Sequence, residues 1–143
     1  MKARKSGNAK GHATGMAGEF FVMERLFRLG HEPALTLGQA KSIDIIVKTK
    51  GGKLQTVSVK SVRGGGKWPL GRVDGTQELI YVFLLYRSFE DVRTDPEVFV
   101  MPAAVVQKCC RRWLKGDALC YSSPRRYVPK ELESYRNAWQ HIG

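Results

Sequence analysis

Nothing in this sequence is long and apolar enough to cross a membrane. Its longest uncharged runs, LIYVFLLY and VFVMPAAVVQ, fall well short of the roughly 20 residues a spanning helix needs. No signal-peptide pattern opens the chain, so the expected location is cytoplasmic. Cysteine is scarce and odd in number. There are three, Cys109 and Cys110 adjacent and Cys120 apart, and without CxxC spacing they give neither a disulfide framework nor a cysteine zinc site. The histidines His12, His31 and His141 lie far apart and are assigned no chemistry. Acid is the other shortage: 13 Asp and Glu face 24 Lys and Arg, leaving a net charge of +11. That balance favours a polyanionic partner, nucleic acid before an acidic membrane surface. A hydrophobic content of 43% over 143 residues still supports one soluble domain with its own core.

What is present centres on residues 43–60, IDIIVKTKGGKLQTVSVK. Ile43, Ile45 and Val47 alternate with Asp44, Ile46 and Lys48, and Val57 and Val59 alternate with Thr56, Ser58 and Lys60. This period of two predicts a hairpin of two half-buried strands around Gly51 and Gly52. If the β-branched residues share a face, even positions pair with even across an odd-length turn. Asp44, Ser58 and Lys60 are then expected to crowd one patch.

Along the rest of the chain, residues 1–12 hold Lys2, Arg4, Lys5 and Lys10 without an acid and read as a mobile basic arm, leaving 13–143 as a single domain. Apolar residues at helical spacing predict a helix from Gly15 to Leu29 with Gly30 as its stop. Glu19 in its first turn has an ordinary explanation, since an acid there complements the helix dipole. Strands are expected at Pro33–Leu37, Leu79–Tyr86 and Glu97–Met101, the second apolar throughout and so central in the sheet. Further helices are expected over Ala103–Lys115, with a basic side, and after Pro129, with Tyr135 and Trp139 on its apolar stripe as core or dimer interface. The architecture is α/β, a mixed sheet of about five strands flanked by helices. Between Lys41 and Arg72 eight cations face a single acid, Asp44. Edge strands use lysines against aggregation, which accounts for Lys48, Lys50 and Lys53. The Gly-rich segment after Lys60 fits that account less well, and Lys41, Arg63, Lys67, Trp68 and Arg72 are the candidate nucleic-acid contacts, with packing as the competing role for Trp68.

Glu19 in GMAGEFF, Asp44 in SIDII and Ser58-Val59-Lys60 in VSVKS together resemble the PD-(D/E)XK nuclease superfamily, the restriction-endonuclease-like fold shared by restriction enzymes and Holliday-junction resolvases. That pattern places a Glu on a helix, an Asp on one strand, and Asp/Glu-x-Lys on the next. Here Ile43 stands at the proline, and Ser58 stands at the second carboxylate. Two carboxylates and a carbonyl can suffice for Mg²⁺, and Asp74 or Glu78 is the candidate replacement if the loop folds back. The resemblance implies hydrolysis of DNA phosphodiesters with Mg²⁺ or Mn²⁺. In it, Asp44 is the central metal ligand, Glu19 an outer ligand or organiser, the Val59 carbonyl a backbone ligand, Ser58 a neutral residue at the acid position, and Lys60 the cation near the attacked phosphate. The implied substrate is double-stranded or branched DNA and the implied assembly a homodimer. The alternative expectation is a non-catalytic DNA-binding module that keeps the fold and the basic surface.

Overall fold

A computed structural model describes residues 2–36, 43–121 and 130–143, with side chains from residue 9 onward. Helix α1 (Lys2–Arg28) leads into strands β1 (Glu32–Leu35), β2 (Ile45–Lys48), β3 (Leu54–Val62), β4 (Lys67–Pro69), β5 (Leu79–Leu85) and β6 (Glu97–Pro102). Helix α2 (Ala103–Cys109), strands β7 (Arg111–Trp113) and β8 (Gly116–Cys120), helix α3 (Lys130–Glu133) and a 3₁₀ turn (Trp139–His141) complete the chain. Helix α1 is longer than its apolar spacing predicts and takes in most of the segment read as a mobile arm. Ala, Lys and Arg there are strong helix formers, and no proline interrupts them. Gly30, at φ +89°, ends it, and the His31 N–H closes the last turn on the Leu26 carbonyl. Among the described residues no helix is long and apolar enough to cross a membrane.

Five strands form the main sheet in the order β1-β2-β3-β5-β6, with β3 and β5 parallel and the other neighbours antiparallel. Strand β5 is buried at every position, as its unbroken apolar run requires of an inner strand covered on both faces. Its alternate residues serve two cores. Ile80, Val82 and Leu84 join Ile45, Val47, Val57, Val98 and Val100 beneath Val22 and Leu26 of α1. Tyr81, Phe83 and Leu85 join Phe99 and Met101 beneath Trp68 and Leu119 of a second, three-stranded sheet ordered β4-β8-β7, and beneath Val106 of α2. The β2–β3 register pairs Ile45 with Val57 and Lys48 with Leu54. Residues 49–53 therefore make the odd-length turn, closed by Thr49 N–H to Lys53 O at 2.7 Å, with Gly52 at φ +88°.

Two predicted helices are overridden by tertiary contacts. The helix expected over Ala103–Lys115 stops at Cys109: Cys110 is extended, at φ −75° and ψ 157°, and residues 111–113 turn back as β7 against β8. Arg112 gains an ion pair with buried Asp117 that a continuing helix would forfeit. The final helix is only Lys130–Glu133. After it, Val100 N–H donates to Tyr135 O and Asn137 N–H to Val98 O, so the chain bonds to the outer edge of β6 instead of coiling. Tyr135 and Trp139 are half-buried against the cores.

Candidate active site

Strand β3 outlasts its neighbour. Its last partner on β2 is Val57, and among the described residues no strand pairs with that edge of β3 from Ser58 to Val62. Asp44 sits at this fork. Val57 is the Cα partner of Ile45, yet the Asp44 N–H also donates to the Val57 carbonyl, at 2.9 Å. Two residues of one strand thus oppose one of the other, which is a β-bulge, and a bulge re-aims side chains. The alternation breaks accordingly: Ile43 packs with the Trp68 core and Ile45 with the α1 core. Asp44 is left at the edge, where its Oδ2 accepts the Val59 N–H at 2.7 Å. In a strand, the N–H and C=O of one residue point to the same edge, so the Val59 carbonyl faces the fork as well.

Helix α1 brings Glu19 to the same place. Burial, followed by a hydrogen bond with Asp44 and that residue's negative charge, pushes the Glu19 carboxyl up to about 7. The approach depends on Gly18. A Cβ there would collide with Ser61 Oγ and stand 3.1 Å from Leu84 Cδ1. Ser61 Oγ is buried without a hydrogen-bond partner, consistent with a helix drawn close to β3. Gly18→Ala should cost about 1–3 kcal/mol in urea unfolding, the usual cost of overpacking. Ser61→Ala alone should be nearly neutral, since it removes an unsatisfied hydroxyl, and should partly rescue Gly18→Ala. Independent effects in the double variant would refute the close approach.

The raised Glu19 carboxyl also sets a pH dependence. The folded state holds the proton up to about 7 and the unfolded chain only to its ordinary value near 4.5. Its contribution to stability is therefore complete below 4.5 and lost as the pH rises through 7. In metal-free buffer, wild type should lose stability relative to Glu19→Gln across that window. Parallel pH curves for the two proteins would show that Glu19 titrates normally.

The other predicted site residues divide. Ser58 and Lys60 pair with Tyr81 and Phe83 of β5, so they share the face that carries the Trp68 core, opposite α1. The patch expected of Asp44, Ser58 and Lys60 is corrected for Ser58, which is 1% exposed, and the bulge takes Asp44 out of the simple alternation. Lys60 is half-buried on the length of β3 that extends past β2. Asp74 directs its carboxylate to Thr76 N–H at 2.9 Å and Thr76 Oγ1, and Glu78 is exposed. Among the described residues no third His, Cys, Asp or Glu joins Glu19 and Asp44, and neither of these is in an ion pair.

Of the proposed nucleic-acid contacts, Lys41 lies outside the described residues. Trp68 is corrected to a core residue. It is 0% exposed, its Nε1–H donates to Leu84 O at 3.0 Å, and its ring packs on Phe83, Phe99 and Tyr121, so no face is left for a base. Arg63 stacks 3.6 Å from the Phe89 ring centre and donates to Thr14 Oγ1 at 2.7 Å. Lys67 is exposed. Arg72 is half exposed but engaged, pairing with Asp117 at 2.8 Å. Asp117, whose carboxylate the Val73 N–H and then Arg112 and Arg72 hold at about 2, has no signal in the sequence, since Val73 and Arg72 are remote from it. Gly18 had one, the small residue immediately before Glu19 in GMAGEFF.

No protein-family model matches the chain, and no curated protein does. Among solved structures it is similar to the bacterial homing endonuclease I-Ssp6803I, with 17% identity and a TM-score of 0.63, over 92% of this chain and 90% of that one. At that identity the likeness is one of fold, a mixed five-stranded sheet flanked by helices.

Proposed function

We propose that this protein is a divalent-metal-dependent DNA endonuclease of the PD-(D/E)XK kind. The observation that carries the reading is the convergence of Glu19 and Asp44 at the open edge of β3. Two carboxylates brought together without an ion pair repel each other, and a hard cation with oxygen ligands relieves the repulsion. The donor set suits Mg²⁺ or Mn²⁺: Asp44 Oδ1, the Glu19 carboxylate and the Val59 carbonyl would hold the ion, with waters completing its shell. Such an ion supplies a water of lowered pKa and positive charge at the phosphate. The chain's own part is positional. The Val59 N–H fixes the Asp44 carboxylate, Gly18 admits α1 so that Glu19 reaches it, and Lys60, next to Val59 on β3, is the cation this reading assigns to the phosphate under attack. The net charge of +11 supports a polyanionic substrate, and a neighbour of the same fold is described as a homing endonuclease.

A second reading, a DNA-binding module without catalysis, is favoured by one observation: Ser58, where the pattern has a carboxylate, is neutral and buried on the other face of the sheet. Cleavage of supercoiled plasmid and of a four-way junction in Mg²⁺, Mn²⁺ or chelator separates the two. Metal-dependent cutting, lost in Asp44→Ala and reduced in Lys60→Ala, establishes the nuclease. Retained DNA binding without cutting by wild type establishes the module.

A further inference from the structure

The small sheet has a use that its packing does not explain. Its registers, Lys67 with Cys120, Pro69 with Ala118, Ala118 with Arg111 and Gly116 with Trp113, place Lys67, Pro69, Arg111 and Trp113 on one face. The other face carries Trp68 and Leu119 into the core. On the outer face Lys67 Nζ stands 4.9 Å from the Trp113 ring centre. At the turn between β7 and β8, Leu114 is 100% exposed and Trp113 44%. Lys115 follows, also exposed. A solitary exposed leucine means little, but here two large apolar side chains project from a turn flanked by cations. The one acid from Lys108 to Cys120 is Asp117, which is 2% exposed and directed the other way.

The turn is also braced. Arg72 donates to the carbonyls of Trp113 and Leu114, the latter at 3.0 Å, while its other nitrogen pairs with Asp117 at 2.8 Å. Asp117 Oδ2 accepts the Val73 N–H at 2.8 Å, and Arg112 closes the group at 3.1 Å. Gly116, at φ +145°, lies where a Cβ would come within 2.9 Å of the Leu70 carbonyl, so the ribbon is held tightly against the preceding loop. Two half-exposed arginines on one buried carboxylate, Asp117, thus fix a turn whose own side chains are exposed. Such bracing removes the ordering cost that a flexible contact loop would meet on binding.

We infer that the β7–β8 ribbon is a duplex-DNA-docking element: its Trp113–Leu114 turn enters a groove while Lys67, Arg111 and Lys115 contact the flanking phosphates. A two-stranded ribbon has the dimensions the major groove admits, and apolar side chains can lie against sugar and base edges there. Phosphate contacts fix orientation, and the turn contributes contacts beyond charge. Arg72 becomes a positioning residue for the turn. The inference rests on DNA being the partner, as proposed above, but not on the catalytic site.

The test is a fluorescence-anisotropy titration of a fluorescein-labelled linear duplex, in chelator and over a series of salt concentrations. Wild type is compared with Leu114→Ser, Trp113→Ala and the triple variant Lys67→Ala/Arg111→Ala/Lys115→Ala. Removing one cation from a phosphate lowers the slope of log affinity against log salt by about 0.9, so the slope of the triple variant should fall by about 2 to 3. Trp113→Ala and Leu114→Ser should bind about tenfold more weakly with the salt slope unchanged. Leu114→Ser changes only a fully exposed tip, so its result does not depend on the fold surviving. If wild type binds DNA and all three variants match it, the ribbon is not the docking element while the nuclease reading stands. If wild type binds no duplex, the docking inference is overturned, and cleavage of the four-way junction decides the nuclease reading separately. A wild-type dimer in sedimentation that Leu114→Ser dissociates without weakening DNA affinity would assign the turn to a second copy of the chain instead.

Discussion

Replacing Asp44 with alanine is expected to reduce metal-dependent cleavage at least about a thousandfold, because several kcal/mol of charge stabilisation at the phosphate depend on the ion it would anchor. Asp44 has two jobs, and the variants can separate them. As a hydrogen-bond acceptor it satisfies the Val59 N–H on an edge that no strand among the described residues pairs with. Alanine leaves that N–H without its protein partner, at a cost of up to about 1–3 kcal/mol if water cannot replace it. Asn keeps an acceptor oxygen and the shape of the fork but removes the charge. Asp44→Asn should therefore unfold near the wild-type urea midpoint while cleaving as poorly as Asp44→Ala. Both substitutions also remove the negative charge beside Glu19, so its carboxyl should titrate closer to the ordinary value, with the shift due to burial remaining. Cleavage by Asp44→Asn at wild-type rates would show that the carboxylate pair is not the seat of chemistry.

Trp68→Ala is expected to be the most destabilising single change, about 3–5 kcal/mol by chemical denaturation. Against a typical total of roughly 5–15 kcal/mol for a domain, that is a large share. The indole is wholly buried between the main sheet and the small one, against Phe83, Phe99 and Tyr121, and its N–H satisfies the Leu84 carbonyl at 3.0 Å. Alanine opens a cavity where the two sheets join and removes that hydrogen bond. Trp68→Phe, which keeps an aromatic ring and loses the hydrogen bond, should cost less, about 1–3 kcal/mol. The competing role makes the opposite prediction. A Trp68→Ala protein of wild-type stability with weakened DNA binding would return this residue to the nucleic-acid contacts.

Much of the fold is written in local pattern. The alternation of Ile45, Val47 and Val57 against Ile46 and Thr56 determined the hairpin and its register, because each strand has one face to bury and a slip of one residue would expose it. The unbroken apolar run of Leu79–Leu85 marked an inner strand for the same reason. The site was half legible. Glu19 and Asp44 stood out through their resemblance to a known pattern, and they meet at one edge. What alternation could not supply is the bulge at Asp44, a single extra backbone hydrogen bond to Val57 that turns this carboxylate out of line with Ser58 and Lys60.

Sequence alone determined the hairpin, the inner strand and the basic character of the molecule, since burial period and net charge are properties of neighbours along the chain. Tertiary structure decided the rest. It ended a helix at Cys109 so that Arg112 could reach Asp117, drew residues 135–137 onto the edge of β6, buried Trp68, and let Gly18 bring a carboxylate from α1 to the fork. Asp117 draws Arg72 and Val73 from 45 and 44 residues away and the other contacts likewise join remote segments, and an interaction that must first bring such segments together leaves no period in either of them to be read.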